Sequence, residues 1–391
     1  MKKILGLLLA LCLIAGCTSA FAAGIPVEQV KIGYITIGDE NEGYSANHLN
    51  GLKEAQAALG ISDDQVLCKY NVPETEDAYE AAIDLAEQGC NIIFATSFGH
   101  ESYVFQAAAE YPNIQFCQAT GNSAMNSELT NVHNYFYAVY ESRYVSGVVA
   151  GMKLAQMIED GTITAENAKI GYVGAFPFAE VISGFTSFFL GARSQCPSVT
   201  MEVRYTNSWA DMALEKETAE ALIADGCVLI SQHADTTGAP SACEAAGVPC
   251  VGYNISMLPV APNTALTSAA GDWGAYVTYA VKCLIDGEEI DRDWCKGYAE
   301  GAVYTTELND SIVAPGTAEK VAELEEAFKA GTVKVFDTST FTVNGETLTS
   351  YTTAYGLEGI EMVSDGEFHE SSVRSAPYFD ILIDGITAVV E

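Results

Sequence analysis

Lys31-Ile32-Gly33-Tyr34-Ile35 returns as Lys169-Ile170-Gly171-Tyr172-Val173, and Leu85-Ala86-Glu87-Gln88-Gly89-Cys90-Asn91-Ile92-Ile93 returns as Leu222-Ile223-Ala224-Asp225-Gly226-Cys227-Val228-Leu229-Ile230. Two independent echoes at nearly the same spacing indicate a duplicated unit, far longer than the period of about 20–50 residues that marks a solenoid. Around each echo, short apolar runs alternate with helical patterns. Strands are expected at 31–37, 91–96, 169–174, 201–206, 227–231 and 249–252, and helices near 45–59, 76–88, 179–194, 212–225 and 240–246. Gly89 and Gly226 stand just past helix ends, where a left-handed residue terminates the helix. Apolar strands alternating with helices imply parallel sheets covered on both faces. In such sheets ligands bind beyond the carboxyl ends of the strands. Two similar α/β lobes therefore place a cleft between two sets of strand ends.

Length and charge agree with that plan. The 391 residues suffice for two domains, and 49% of them are hydrophobic. Against 52 Asp plus Glu stand 18 Lys plus Arg, a formal net charge of −34. So acidic a surface repels nucleic acid and anionic membrane faces. Only 18% of residues are charged, which excludes a disordered acidic chain.

The first residues form a separate unit. Lys2 and Lys3 precede an apolar run from Ile4 to Ala15, shorter than the roughly 20 residues a membrane-spanning helix needs but suited to a signal peptide. Ile14-Ala15-Gly16-Cys17 matches a bacterial lipobox, making Cys17 the expected lipidation site; cleavage after Ala20-Phe21-Ala22 by ordinary secretion is the alternative. Two of the 11 cysteines, Cys12 and Cys17, fall in this leader. The odd number left is a poor disulfide framework and contains no CxxC pair. Free, buried cysteines on an exported protein point to a reducing habitat.

The residues after the expected strands are rich in aromatics, carboxylates and amides. They include Asp39, Glu42, Tyr44 and Asn47, then Ser97 and Phe98, then Tyr137, Tyr140 and Glu141 at a crossover. In the second half come Phe176, Phe178 and Glu180, Asn207-Ser208-Trp209, His233 and Asp235, Tyr253-Asn254, and Asp272-Trp273 at the head of a further helix. Arg143 is the nearby cation. Anionic ligands are usually met by arginine, lysine or glycine-rich helix starts, and neither GxGxxG nor GxxxxGK[ST] occurs. A planar heterocycle suits the set better, with aromatic faces stacking on it and carboxylates and amides taking its hydrogen bonds. Sugar hydroxyls could use the same groups, so a nucleoside is equally admissible.

Signals for catalysis or metals are weak. His233-Ala234-Asp235 has no second ligand pair at a metal-site spacing, and Ala95-Thr96-Ser97-Phe98-Gly99 lacks the leading glycine of a nucleophile elbow. No enzyme, metal or cofactor is expected.

Several ordered blocks resemble the BMP (basic membrane protein, or PnrA-like) family, substrate-binding lipoproteins of ABC transporters. They are Lys31-Ile32-Gly33-Tyr34, Ala95-Thr96-Ser97-Phe98-Gly99, Gln118-Ala119-Thr120-Gly121, Tyr140-Glu141-Ser142-Arg143-Tyr144 with Gly147 and Ala150-Gly151, Phe176-Pro177-Phe178 with Glu180-Val181, Leu190-Gly191-Ala192-Arg193-Ser194, Asn207-Ser208-Trp209, Gln232-His233 with Asp235, and Gly252-Tyr253. The resemblance covers about residues 28–305. It implies two Rossmann-like lobes in the type I periplasmic-binding-protein fold and a purine nucleoside or nucleobase ligand of the adenine or adenosine type. It also implies an ABC permease and ATPase complex as partner, with the protein lipid-anchored on the extracytoplasmic face of the cell membrane. Carried over by position, Tyr44, Phe98, Phe176 and Trp209 become stacking or wall residues, and Glu141, Asn207, Asp235 and Trp273 polar or closing contacts.

The expected organisation is a signal peptide at 1–17 and a linker at 18–27. Lobe 1 takes 28–139 plus 266–305 and lobe 2 takes 140–265 plus 306–331. The lobes would open and close about crossovers near 140 and 265. Residues 332–391 form an elaboration packed on lobe 2, in which 336–343 reads as a strand and Asn344-Gly345 as a hairpin turn. The rival functions are a lipoprotein receptor for signalling, and a nucleoside or glycoside hydrolase using cleft carboxylates.

Overall fold

A computed structural model describes residues 24–354 and 357–389. The chain first runs through β1 (Ile32–Ile35), α1 (Gly43–Leu59), β2 (Val66–Lys69), α2 (Glu76–Glu87), β3 (Ile92–Ala95), α3 (Glu101–Glu110), β4 (Gln115–Ala119) and β5 (Val132–Tyr137). It then crosses at Ala138 into α4 (Val139–Glu159), β6 (Lys169–Gly174), α5 (Ala179–Gln195), β7 (Thr200–Tyr205), α6 (Met212–Ala224), β8 (Leu229–His233), α7 (Gly238–Ala246), β9 (Cys250–Tyr253) and β10 (Ala265–Gly271). It returns to the first lobe with α8 (Trp273–Asp286) and β11 (Asp293–Lys296), and crosses again to β12 (Val303–Thr305) and α9 (Thr317–Lys329). The tail carries the short pair β13 (Val363–Ser364) and β14 (Glu367–Phe368), then β15 (Ile386–Val389).

The first sheet has the order β11-β5-β4-β3-β1-β2, and the second β12-β10-β9-β8-β6-β7-β15. The first is parallel throughout, and β12 is the antiparallel member of the second. The echoed strands β1 and β6 hold equivalent places, each flanked by the next two strands of its lobe. That is where strand order reverses and a crevice opens at the carboxyl ends.

Three points of organisation differ from expectation. β10 lies in the second sheet, paired with β9, and so does β12; only α8 and β11 of the segment 266–305 belong to the first lobe. The crossovers therefore fall at Ala138, after Gly271 and within 297–302, not near 265. A fully buried parallel strand such as β10 carries no mark of which sheet it joins. Of the linker, the described part is docked, with Ile25 donating its N–H to the Leu284 carbonyl at 3.1 Å and Gln65 Nε2 donating to the carbonyls of Val27 and Val30. The leader and Cys17 lie outside the described residues.

In the tail, 336–343 is not a strand. Phe336 and Phe341 both pack on Phe379, at 4.6 and 5.9 Å between ring centroids, although the odd spacing would put them on opposite faces of a strand. Asn344 and Gly345 do form a tight turn, both with positive φ, closed by a Val343–Glu346 bridge and held by the Asp384 carboxylate. Farther on, β15 extends the second sheet beside β7, while Ser375 reaches the first lobe through two hydrogen bonds to the Asp293 carboxylate.

Helices α4 and α5 approach unusually closely because glycine faces backbone. A Cβ on Gly147 would lie 2.0 Å from the Phe188 carbonyl oxygen, and one on Gly191 2.1 Å from that of Tyr144. The same packing sets Arg143 beside Gly184 of α5, where a Cβ would lie 3.7 Å from its Nε. All the cysteines of the described residues are free, most of them buried. Among the described residues no helix is long and apolar enough to cross a membrane.

Candidate functional site

A cavity lies between the lobes at the strand ends. The first lobe lines it with Ile37 beyond β1, Tyr44 in the first turn of α1, Ser97 and Phe98 beyond β3, and Thr120 beyond β4. The second contributes Glu180 from the start of α5, Trp209 beyond β7, Asp235 beyond β8, and Tyr253 at the end of β9. The lobes meet around it. Gly43 N–H donates to the Asp235 carbonyl at 3.2 Å, and Asn47 Nδ2 donates to the Gly271 carbonyl at 3.0 Å. Phe98 and Phe178, 41% and 44% exposed, face each other across the mouth with centroids 6.1 Å apart.

Aromatic rings build the walls. Phe178 stacks on Phe176 at 5.1 Å, and Phe176 meets Trp209 edge-on at 5.2 Å. Tyr44 is anchored by donating its hydroxyl to the Thr96 carbonyl at 2.6 Å. Thr120 holds φ at +60°, an uncommon conformation for a β-branched residue, and its buried Oγ1 has no hydrogen-bond partner. Strain of that kind recurs at ligand-contacting turns.

The polar groups are carboxyls with one guanidinium behind them. Burial pushes Glu180 up to about 7, and the Arg143 guanidinium pulls against that shift. Asp235 is pushed well above the ordinary carboxylate range by burial and by the carboxylates of Glu42 and Glu215. Its Oδ1 accepts from Asn254 Nδ2 at 2.8 Å. Arg143 is fully buried, donates from Nη1 to the Gln232 carbonyl at 2.7 Å, and stands 3.7 Å from the centroid of the Tyr253 ring. His233, pushed well below its ordinary range by burial, lies with Nε2 3.5 Å from Glu180 Oε1. Among the described residues no cluster of His, Cys, Asp and Glu could hold a metal ion.

Residues 35–335 match the family described as ABC transporter substrate-binding protein, PnrA-like. The chain belongs to this family. A purine-binding protein of Brucella abortus is 33% identical over 311 residues, covering 79% of this chain and 83% of that protein. A putative ABC transporter glucose-binding protein of Haloferax volcanii is 29% identical, over 85% of this chain and 81% of the relative. Among solved structures, a solute-binding protein of an ABC transporter system from Aeropyrum pernix superposes with a TM-score of 0.65 at 18% identity, covering 78% of this chain and 93% of that one. A PnrA-like substrate-binding protein works on the extracytoplasmic side with an ABC permease and ATPase, and both family and fold are those of binding proteins.

In this PnrA-like protein, Tyr44, Phe98, Trp209 and Asp235 meet on the cavity. Phe176 backs Trp209 without lining it. Trp273 is buried beneath the floor, stacked on His48 at 3.9 Å and 5.8 Å edge-on from Tyr44. Asn207 is exposed and does not line the cavity; its φ of +54° turns the chain toward Trp209. Glu141 is at the hinge, where its carboxylate accepts the Tyr298 N–H at 2.8 Å and borders a separate cavity with Tyr140, Phe336 and Glu370. Glu180, Ser97 and Tyr253 stood among the strand-end residues without being chosen for the site. Ile37 and Thr120 were missed, although Thr120 directly follows a strand, which is the signal that could have found it.

Proposed function

We propose that this protein is a lipid-anchored solute receptor of an ABC importer that encloses a purine nucleoside or nucleobase, of the adenine or adenosine type, between its lobes. The observation that carries the reading is the cavity itself: Tyr44, Phe98 and Trp209 offer ring faces, and Glu180 and Asp235 offer hydrogen-bonding carboxyls at its margin. Stacking on such rings contributes about 1–3 kcal/mol per base. The similarity to a purine-binding protein of Brucella abortus supports the same ligand class. Ligand touching both lobes stabilises the closed arrangement, and the permease reads that state. Cys17 carries the lipid, so that Cys17→Ser releases the protein from the membrane fraction.

Mass spectrometry of small molecules released on denaturing the purified protein tests the ligand, followed by calorimetry with adenosine, adenine and glucose. A purine near one equivalent is the expected result. Glucose binding without purine binding, or turnover of adenosine, overturns the reading.

A further inference from the structure

Residues 336–389 lie beyond the span 35–335 that matches the family, yet they are bonded to both lobes. The second lobe holds them on either side of a short loop, 370–379. On one side the buried Glu370 accepts from the Ser183 hydroxyl of α5 at 2.8 Å. On the other, β15 pairs with β7, and Arg193 of α5 donates to the carbonyls of Thr340 and Asp384. The loop is braced from within. The Glu370 carboxylate also accepts the N–H groups of Ser371, Tyr378 and Phe379, which cinches the two ends of the loop together. Arg374 donates to the carbonyls of Ala376 and Pro377, and its guanidinium lies 3.7 Å from the centroid of the Tyr378 ring. Ser371 holds φ at +54° and donates its hydroxyl to the Ser375 carbonyl at 3.1 Å. A loop whose polar groups are answered internally moves as one piece.

The tip of this loop is bonded to the other lobe. Ser375, itself buried, donates its N–H and its hydroxyl to the Asp293 carboxylate at 2.5 and 2.6 Å, short charge-assisted bonds. Asp293 opens β11, the edge strand of the first sheet, which runs into the crossing at 297–302. From Asp293 to that crossing the chain covers roughly 13 Å of extended strand. A rotation of the lobes by about 15–20° about an axis there shifts Asp293 by roughly 3–5 Å against the second lobe, past the reach of a hydrogen bond. The two bonds therefore hold in one arrangement of the lobes. That arrangement also has the cross-cleft bonds from Gly43 to Asp235 and from Asn47 to Gly271.

We infer that loop 370–379 is a strap across the hinge: carried rigidly by the second lobe, it grips Asp293 of the first, favours the closed arrangement and lets go when the lobes part. The strap rests on the closure reading above and adds to it a device outside the residues that match the family. By raising the fraction of protein already closed, it strengthens the binding of any ligand that needs both lobes. A ligand leaving the cleft must wait for the strap to release.

Hydrogen exchange of the ligand-free protein reads the strap at a distance. Gly43 opens α1, so its N–H has no helical partner and is protected through the Asp235 carbonyl across the cleft. Asp293→Ala speeds exchange at Gly43 by about tenfold, and Ser375→Ala by about threefold. Thr342→Val, which removes a hydrogen bond between two tail residues, leaves that rate at the native value. Unchanged exchange in Asp293→Ala, or equal acceleration by Thr342→Val, overturns the inference. Stopped-flow binding of adenosine gives a second reading. Asp293→Ala raises koff by about tenfold and leaves kon within about twofold, because the strap engages after the ligand has entered. An unchanged koff overturns the strap as well. Failure of the native protein to bind adenosine refutes the ligand reading instead, and the exchange result stands apart from it.

Discussion

Gly43 of the first lobe and Asp235 of the second share a backbone hydrogen bond of 3.2 Å, and a Cβ on Gly43 would stand 2.8 Å from that same carbonyl oxygen. The lobes can meet there only because residue 43 has no side chain. Gly43→Val therefore holds the lobes apart. Ligand affinity falls by about tenfold or more, while the melting temperature stays close to that of the native protein, because each lobe keeps its own core. Calorimetry paired with small-angle scattering checks this, and undiminished affinity would show that closure does not use this contact.

Trp209 lines the cavity with Phe176 packed against its edge. Trp209→Ala weakens purine binding by about tenfold or more, the equivalent of about 1–3 kcal/mol of stacking. Phe176→Leu, which keeps apolar volume behind the ring, costs less. Equal effects of the two changes in a titration would place Phe176 in direct contact with the ligand.

Burial pushes the Glu180 carboxyl up to about 7. Its carboxylate is the form that accepts a ligand N–H, so below that pH binding must first expel a proton. Affinity accordingly weakens as pH falls through about 7, by up to about tenfold per pH unit, and levels off above it. Glu180→Gln flattens the curve. A native profile that is flat between about pH 5 and 8 would contradict this role.

Gly147 packs against the Phe188 carbonyl with no room for a methyl group. Gly147→Ala separates α4 from α5 and costs about 1–3 kcal/mol of stability, read by denaturant titration. Because Glu180 at the start of α5 lines the cavity, ligand affinity falls as well. A variant that loses stability but keeps its affinity would separate the two effects.

Burial pushes Glu141, Glu180 and Glu215 each up to about 7 from an ordinary 4.5. Through these carboxyls the folded protein holds protons that the unfolded chain has lost, whereas the buried His48, His100, His133 and His233, all pushed below their ordinary range by burial, oppose that trend below about pH 6.5; above it the carboxyls alone act, and stability falls as pH rises. The ligand-free protein melts at a higher temperature near pH 6.5 than near pH 8, a trend that its net charge of −34 reinforces through self-repulsion. Melting curves across that range are the check, and a rise in melting temperature with pH would refute the assignment.

The duplicated strands made the two-sheet plan readable, because a parallel sheet writes its strands as apolar runs and its ligand crevice as whatever follows them. That logic reached Tyr44, Phe98, Trp209 and Asp235. It could not separate Glu141 from Glu180, two carboxylates in first turns of helices that follow strands. Their difference lies in the path of the chain. Glu141 follows the crossing at Ala138, so its carboxylate turns to the backbone of the third crossing, where Gly297 leaves it space. Trp273 likewise opens a helix that returns to the first lobe, and its ring goes to the core beside His48. Placing such side chains requires knowing which lobe each segment enters, and for β10 the sequence carries no mark of that.

The routing of the chain also bears on the order in which the molecule can be assembled. The first sheet lacks its edge strand until residues 293–296 are available, and the second lacks its outer strand until 386–389 pair with β7. A chain emerging from the ribosome therefore cannot complete either lobe until most of it has been synthesised. Pairings this distant in sequence form slowly. A polypeptide that must be threaded across a membrane before it folds gains time from such a topology, since neither half offers a finished core to trap it on the wrong side.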